Sequence, residues 1–146
     1  RVIAFGSSTP FHFPHWNADI EFQQSPPQDT LRHIYAQCDV WLTASRSEGF
    51  NLPAMEAMAC RTPVVATRTG WPEEAIVQHA NGVLVDVGDV DGLTAGVEWA
   101  LTLTDPAWRA VSAAAFDPVS HCSWERSAQQ FEQVLLSQCQ AAARPN

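Results

Sequence analysis

The sequence predicts an α/β protein, a parallel sheet with helices on both faces. Two observations carry this. Short apolar runs alternate along the chain with stretches of helical periodicity. The central runs, "VWLTAS", "PVVAT" and "VLVD", are largely apolar on both faces, as strands covered on both sides must be.

Each element has its own signals. Val2 to Phe5 is an apolar run ended by Gly6, a strand stop. "SSTPFHFPHWN" is rich in proline and aromatics and reads as a loop. "DIEFQ" alternates as a strand does, and "SPPQ" breaks it. "QDTLRHIYAQC" places Leu31, Ile34, Tyr35 and Cys38 on one helical face. "VWLTAS" is a buried strand. "LPAMEAMAC" is a short helix with Asn51 as N-cap and Pro53 in its first turn. "PVVAT" is another strand, and "GWPEEAIV" is a loop opening a short helix. "HANG" turns into the strand "VLVD". "DVDGLTAGVEWALTL" is a helix with Leu93, Val97, Ala100 and Leu101 along one side. "DPAWRAVSAAAF" starts a further helix at Asp-Pro. Ser123 caps a final helix on which Trp124, Ala128, Phe131 and Leu135 recur, and the tail "AAARPN" frays.

The 146 residues fit one domain, residues 1–146, and the 46% hydrophobic content is that of a globular chain. A net charge of −8 argues against nucleic acid as a partner. All eight basic residues are arginine, which removes Schiff-base and P-loop lysine chemistry. Cys38, Cys60, Cys122 and Cys139 form no Cys-x-x-Cys pair, and they read as reduced thiols in or near the core. No run approaches the ~18 apolar residues of a membrane helix, and no signal peptide is visible. The expectation is a cytoplasmic protein. The chain begins at Arg1 directly on a strand, so it reads as a piece of something longer.

The stretch "SEGFNLPAMEAMA" holds two carboxylates, Glu48 and Glu56. Ligands of open α/β sheets bind beyond the carboxyl ends of strands, where Glu48 and Gly49 lie. The helix beginning near Leu52 offers unpaired amides and the positive end of its dipole, an anion site. Glu56 is the only charge on that helix. Burying it unpaired would be costly. Its partner is therefore a ligand diol, such as a ribose, or a nearby arginine such as Arg61 or Arg68.

Glu-Gly-Phe-Asn-Leu-Pro-x-x-Glu, Glu48 to Glu56, resembles the E-x7-E signature of retaining GT-B glycosyltransferases, family 4 in particular. The flanks "YAQCDVWLTASRSEGFNLPAMEAMACRTPVVAT", "NGVLVDVGDVDGL" and "SWERSAQQFEQVL" extend the resemblance from Val2 to about Leu135. It implies a Rossmann-like, donor-binding carboxy-terminal domain of a two-domain enzyme. That enzyme would move a sugar from a nucleotide-sugar donor to a polysaccharide, glycolipid or other acceptor, with the anomeric configuration retained and no metal or other cofactor required. By resemblance, Glu48 would hold donor-sugar hydroxyls near the reacting carbon as the catalytic carboxylate. Amides of Gly49, Phe50 and Asn51 would contact the sugar, Leu52 would face the diphosphate, and Glu56 would bind the ribose. Base contacts would come from around Gln23, Gln24 and Ser25. An acceptor at a membrane would make the complete enzyme peripheral to it.

Arg61 and Trp71 depart from the family, which favours glycine at these positions. If position 61 needs a left-handed backbone, arginine costs ~1 kcal/mol there. Trp71 either reshapes the donor-pocket wall or packs. The family's first strand, central in the sheet, its diphosphate-gripping loop and the acceptor-binding amino-terminal domain are all missing from residues 1–146. The expectation is an inactive fragment with an incomplete sheet. A non-catalytic binding module and a nucleotide-sugar epimerase are the rivals; transfer to an acceptor would separate both from the enzyme.

Other candidates read as structure. His12 and His15 lack metal-ligating neighbours, and His33 is solvated. His121 and Cys122 lack an orienting group. Glu73 and Glu74 open a helix, where negative charge is favourable. Asp86, Asp89 and Asp91 lack the glycine and glutamate of a calcium loop. The six tryptophans read mostly as packing residues.

Overall fold

A computed structural model describes residues 1–7 and 19–142, with side chains through residue 139. Most of the aromatic loop with His12 and His15, and the tail from residue 143, lie outside the described residues. The strands are β1 (Val2–Gly6), β2 (Ile20–Gln24), β3 (Trp41–Thr43), β4 (Val64–Thr67) and β5 (Gly82–Val85). The helices are α1 (Gln28–Ala36), α2 (Leu52–Ala59), α3 (Pro72–Ala75), α4 (Val90–Thr102), α5 (Asp105–Phe116) and α6 (Trp124–Ala142). A 3-10 turn, Asp117–Val119, follows α5.

Every ladder is parallel. β1 and β2 pair with Val2 opposite Ile20. β3, β4 and β5 form a second sheet with β4 in the middle. The single sheet expected from the sequence is thus in two pieces among the described residues. The two pieces meet through side chains: Phe5 of β1 stacks on Trp41 of β3 at 5.5 Å between ring centroids.

Central strands are covered on both faces, as predicted. Val64, Ala66 and Leu84 enter a core shared with Tyr35 of α1, Ala54, Ala57 and Met58 of α2, and Ala115 of α5. Val65, Val83 and Val85 point the other way, under Leu93, Val97 and Trp99 of α4. Gly96 sets that contact, because a Cβ there would lie 2.9 Å from Val65 Cγ1 and 3.0 Å from Val83 Cγ1.

Four expectations are corrected. Strand β3 is only three residues long, and Leu42 is 48% exposed. Helix α4 lies over β4 and β5, which leaves Leu42's face of the edge strand open. Leu101 is 59% exposed. The close approach at Gly96 puts Gly96 and Ala100 against the sheet, and Leu101, one position further round, turns away. Helix α6 forms where expected and is capped by Ser123, whose Oγ accepts from the Arg126 amide at 3.1 Å. Its described side chains are nevertheless all exposed, including Trp124 at 89% and Phe131 at 67%. Periodicity reports that a face is apolar, not which surface covers it. Of the cysteines, Cys38 and Cys60 border the core, while Cys122 and Cys139 are exposed. Burial pushes the Cys38 and Cys60 thiols up from their ordinary pKa.

Candidate functional site

The site lies where the parallel strands end. Beyond β3 the chain crosses to α2 through residues 44–51, and beyond β4 it crosses to α3 through residues 68–71. Both loops follow strands that end on a hydroxyl residue, Thr43 on the edge strand β3 and Thr67 on the buried strand β4. Thr67 is 1% exposed, and its Oγ1 donates to the Ser45 carbonyl at 2.6 Å. Ser45 Oγ in turn donates to Glu48 Oε1 at 2.6 Å. The exposed carboxylate of Glu48 is therefore tied, through one serine, to the end of the central strand.

The second loop props the first. The Trp71 amide donates to the Phe50 carbonyl at 2.9 Å. Gly70 is left-handed (φ 66°), and a Cβ there would come 2.8 Å from the Phe50 carbonyl oxygen and 3.3 Å from Glu48 Cβ. The conformation and the closeness each require glycine. The Trp71 ring stacks on Phe50 at 6.1 Å and 19°. Trp71 thus packs, and in packing it builds an aromatic flank beside Gly49 and Glu48. Glu73 and Glu74 stand exposed on the first turn of α3.

Asn51 precedes α2 as predicted, but it does not cap with its side chain. Its backbone is left-handed (φ 73°), which asparagine tolerates. Its Nδ2 donates instead to Thr43 Oγ1 at 3.3 Å, and the residue is 3% exposed. The amide is spent on holding the loop against β3. Helix α2 then starts at Leu52, 57% exposed, with Pro53 in the first turn. An unblocked helix start carries partial positive charge and amides without intrahelical partners, which suits a diphosphate.

One turn on, Glu56 is half-buried and partnered. Tyr35 Oη donates to Glu56 Oε2 at 2.9 Å, and Gln28 Nε2 lies 3.5 Å from Oε1. Neither arginine weighed from the sequence supplies the partner. Arg68 pairs with Asp86 at 3.3 Å, and the Arg61 guanidinium lies over Phe116, 5.0 Å from the ring centroid. Burial first, and the bond to Glu56 second, push the Tyr35 phenol well above its ordinary pKa.

Arg61 sits where a left-handed residue is required. Its φ is 64°, and the Arg61 and Thr62 amides bond back to the Met58 and Ala57 carbonyls at 2.9 Å each. This is a Schellman ending, usually made with glycine. Ser112 Oγ donates to the Arg61 carbonyl at 2.6 Å, which helps fix the turn. The departure is absorbed at the end of α2 away from the site.

The residues expected to meet a base are less committed. Gln23 Nε2 is engaged by Glu21 Oε1 at 3.0 Å. Gln24 ends β2, and Ser25 follows with φ 46°, both exposed. That loop does reach the site's edge, because it leads straight into Gln28 beside Glu56. Sequence reasoning missed Ser45, Thr67, Gln28 and the role of Tyr35. The hydroxyls closing the apolar runs "VWLTAS" and "PVVAT" were the available signal. Asp89 is a helix cap, its Oδ1 accepting from the Gly92 amide at 2.8 Å. Among the described residues, no three His, Cys, Asp or Glu side chains converge as a metal site. No described helix is long and apolar enough to cross a membrane.

Comparison with known proteins gives the family of the chain. The family model "Glycosyl transferases group 1" matches residues 15–115. D-inositol 3-phosphate glycosyltransferase of Corynebacterium diphtheriae is 35% identical over 120 residues, covering 79% of this chain and 27% of that protein. O-antigen chain mannosyltransferase B of Escherichia coli is 36% identical over 101 residues, covering 68% of this chain and 25% of its own length. The chain thus spans about a quarter of the curated relatives it matches. Among solved structures, sucrose-phosphate synthase of Thermosynechococcus elongatus superposes with a TM-score of 0.72 at 32% identity, over 85% of this chain and 31% of that one. Anabaena HepE in complex with UDP-glucose gives a TM-score of 0.70 at 22% identity, over 81% and 32% of the two chains, and shows the shared fold. With more than half of its residues under the family model and its parallel α/β architecture matched among GT-B enzymes, the chain belongs to the glycosyl transferases group 1 family.

Proposed function

We propose that this chain is the donor-binding half of a retaining glycosyltransferase, which transfers a sugar from a nucleoside-diphosphate sugar to a polysaccharide, glycolipid or other acceptor. The observation that carries the reading is the pair of carboxylates around the start of α2. Glu48 stands exposed on a propped loop before the helix, its carboxylate held only by Ser45, and Glu56 is half-buried one turn inside it. In this reading the remainder of the enzyme binds the acceptor, and residues 1–146 alone do not turn over. The UDP-glucose held by Anabaena HepE supports a nucleotide sugar as the donor class.

Each part has a physical task. Glu56 accepts from the two hydroxyls of the ribose. The diphosphate lies at the start of α2. As the glycosidic bond breaks, negative charge grows on the leaving diphosphate, and fixed amides with the helix dipole stabilise it. Glu48 accepts from donor-sugar hydroxyls, orients the ring and favours positive charge developing at the anomeric carbon. The loop from β3 to α2 spans both tasks, so Gly49 and Phe50 lie where their amides can meet the sugar.

The test uses the complete enzyme with its matched donor and acceptor. The expected product keeps the donor's anomeric configuration by NMR, and Glu48→Gln loses at least a hundredfold in transfer while still binding nucleoside diphosphate. An inverted product, or a Glu48→Gln enzyme with normal transfer, overturns the assignment. A matched nucleoside diphosphate at ~100 times its dissociation constant adds about 2.7 kcal/mol of stability, so a thermal-shift panel of UDP, GDP and ADP names the base.

A further inference from the structure

We propose that Tyr35 is a positioning residue for nucleotide recognition, its phenol fixing the Glu56 carboxylate in the orientation that accepts a ribose diol. This rests on the assignment of Glu56 to the ribose. Tyr35 is 1% exposed and lies on α1, an element remote in sequence from the Glu-x7-Glu stretch. Its only polar side-chain atom donates to Glu56 Oε2 at 2.9 Å.

The ring cannot yield. Phe5 meets it edge-on at 5.7 Å and 82°, and Trp41 does so at 4.9 Å and 74°. The Tyr35 carbonyl accepts from Thr62 Oγ1 at 2.7 Å, which ties α1 to the segment leaving α2. The phenol is thus anchored by two strands and by the chain that follows the helix bearing Glu56.

A free glutamate on a helix surface samples several rotamers, and ordering it costs conformational entropy. A vicinal diol needs both carboxylate oxygens presented together. Tyr35 takes one lone pair of Oε2 and leaves the rest of the carboxylate open. The second neighbour, Gln28, is at 3.5 Å and adds little restraint. Tyr35 therefore carries most of the pre-organisation. The residue does not touch the nucleotide; it acts through Glu56.

The experiment compares a nucleoside diphosphate with its 2′,3′-dideoxy counterpart in the complete enzyme. Wild type prefers the ribonucleotide by about tenfold or more, since hydrogen bonds to a charged acceptor are the stronger kind. In Tyr35→Phe that preference collapses, while affinity for the dideoxy compound stays within about twofold. A merely structural role lowers both affinities together and keeps the ratio, and that result overturns the proposal. Glu56→Gln supplies a second reading at a half-exposed position. Adding Tyr35→Phe to it leaves the ratio unchanged if the phenol acts through the carboxylate. An equal loss in both backgrounds overturns that. A wild-type enzyme with no preference for ribose instead removes the Glu56 assignment itself, so the two failures are distinguishable.

Discussion

Gly70→Ala is the most informative single change near Glu48, and Gly88→Ala is its control. Both glycines are left-handed, with φ 66° and 89°. An alanine in that region costs about 1–2 kcal/mol of backbone strain. The difference that matters is what the new methyl meets. At Gly88 nothing lies within 4 Å. At Gly70 the methyl would sit 2.8 Å from the Phe50 carbonyl oxygen, 3.0 Å from its carbon and 3.3 Å from Glu48 Cβ. Backbone atoms cannot swing aside, so the Glu48 loop must retreat by several tenths of an ångström. It must do so while Trp71 still donates to Phe50. Gly88→Ala should lower the melting temperature by about 3 °C per kcal/mol of strain, and Gly70→Ala by roughly twice as much. Transfer by the complete enzyme should be near normal in Gly88→Ala. In Gly70→Ala it should fall at least tenfold, because small displacements of a positioning group are expensive in rate. The preference for ribose, proposed to be set at Glu56, should survive in both. Equal stability losses, or full transfer by Gly70→Ala, would refute the claim that Gly70 props the Glu48 loop.

Two further outcomes are expected. Tyr35 is the only tyrosine in the 146 residues, so alkaline absorbance near 295 nm reports it alone. Its neighbours Glu56 and Cys60, and burial above all, raise its pKa, so it should not titrate at the ordinary value of about 10 while the chain is folded. The sign follows from linkage: this contribution to stability is fully present below pH ~10 and is lost above it, where only the unfolded chain releases the proton. Tyr35→Phe should flatten that alkaline slope, and a normal tyrosine titration in folded protein would contradict the burial. Truncation after Cys122 removes α6, whose described side chains are all exposed. The shortened chain should melt within about 2 °C of the parent, since little apolar area returns to water; a drop of 10 °C would mean that α6 packs.

The sequence was most legible where burial is complete. Val64, Val65 and Ala66 have no exposed surface and were read as a strand covered on both faces. Ala54, Ala57 and Met58 face the core from α2, as the Ala- and Met-rich segment implied. Legibility failed where a residue's fate depends on a distant element. Leu42 and Leu101 are as apolar as their buried neighbours, yet the placement of α4 leaves them exposed. The sequence shows that Glu56 needs a partner and leaves a ligand diol or an arginine as candidates; the partner within the protein is instead a phenol 21 positions away. A buried hydroxyl on a neighbouring helix satisfies the carboxylate without an opposite charge. The left-handed turn at Arg61 was foreseen only as a condition; the two amides bonding back to α2 show why it holds.

The two carboxylates are held by different parts of the molecule, and this bears on how the site responds to change. Glu56 is connected through Tyr35 to Phe5 and Trp41, the aromatic cluster that joins the two sheets. A hydrogen bond from a buried phenol to a carboxylate is worth about 1.5–3 kcal/mol. Disturbance of that core should therefore be felt in nucleotide affinity. Glu48 has no such connection. Its restraints are Ser45, itself held by Thr67, and the backbone contact from Gly70 to Phe50. An exposed carboxylate bonded to one hydroxyl is held less firmly than one bonded to a buried phenol, so the Glu48 side chain can adjust on its propped backbone when a sugar arrives. A rigid carboxylate suits a ribose shared by every donor with the same nucleotide. An adjustable one suits a ring that changes shape as its glycosidic bond breaks. The difference in anchoring fits the tasks proposed for the two carboxylates, and with those tasks it predicts that substitutions in the β3–α2 loop reach transfer while those around Tyr35 reach binding.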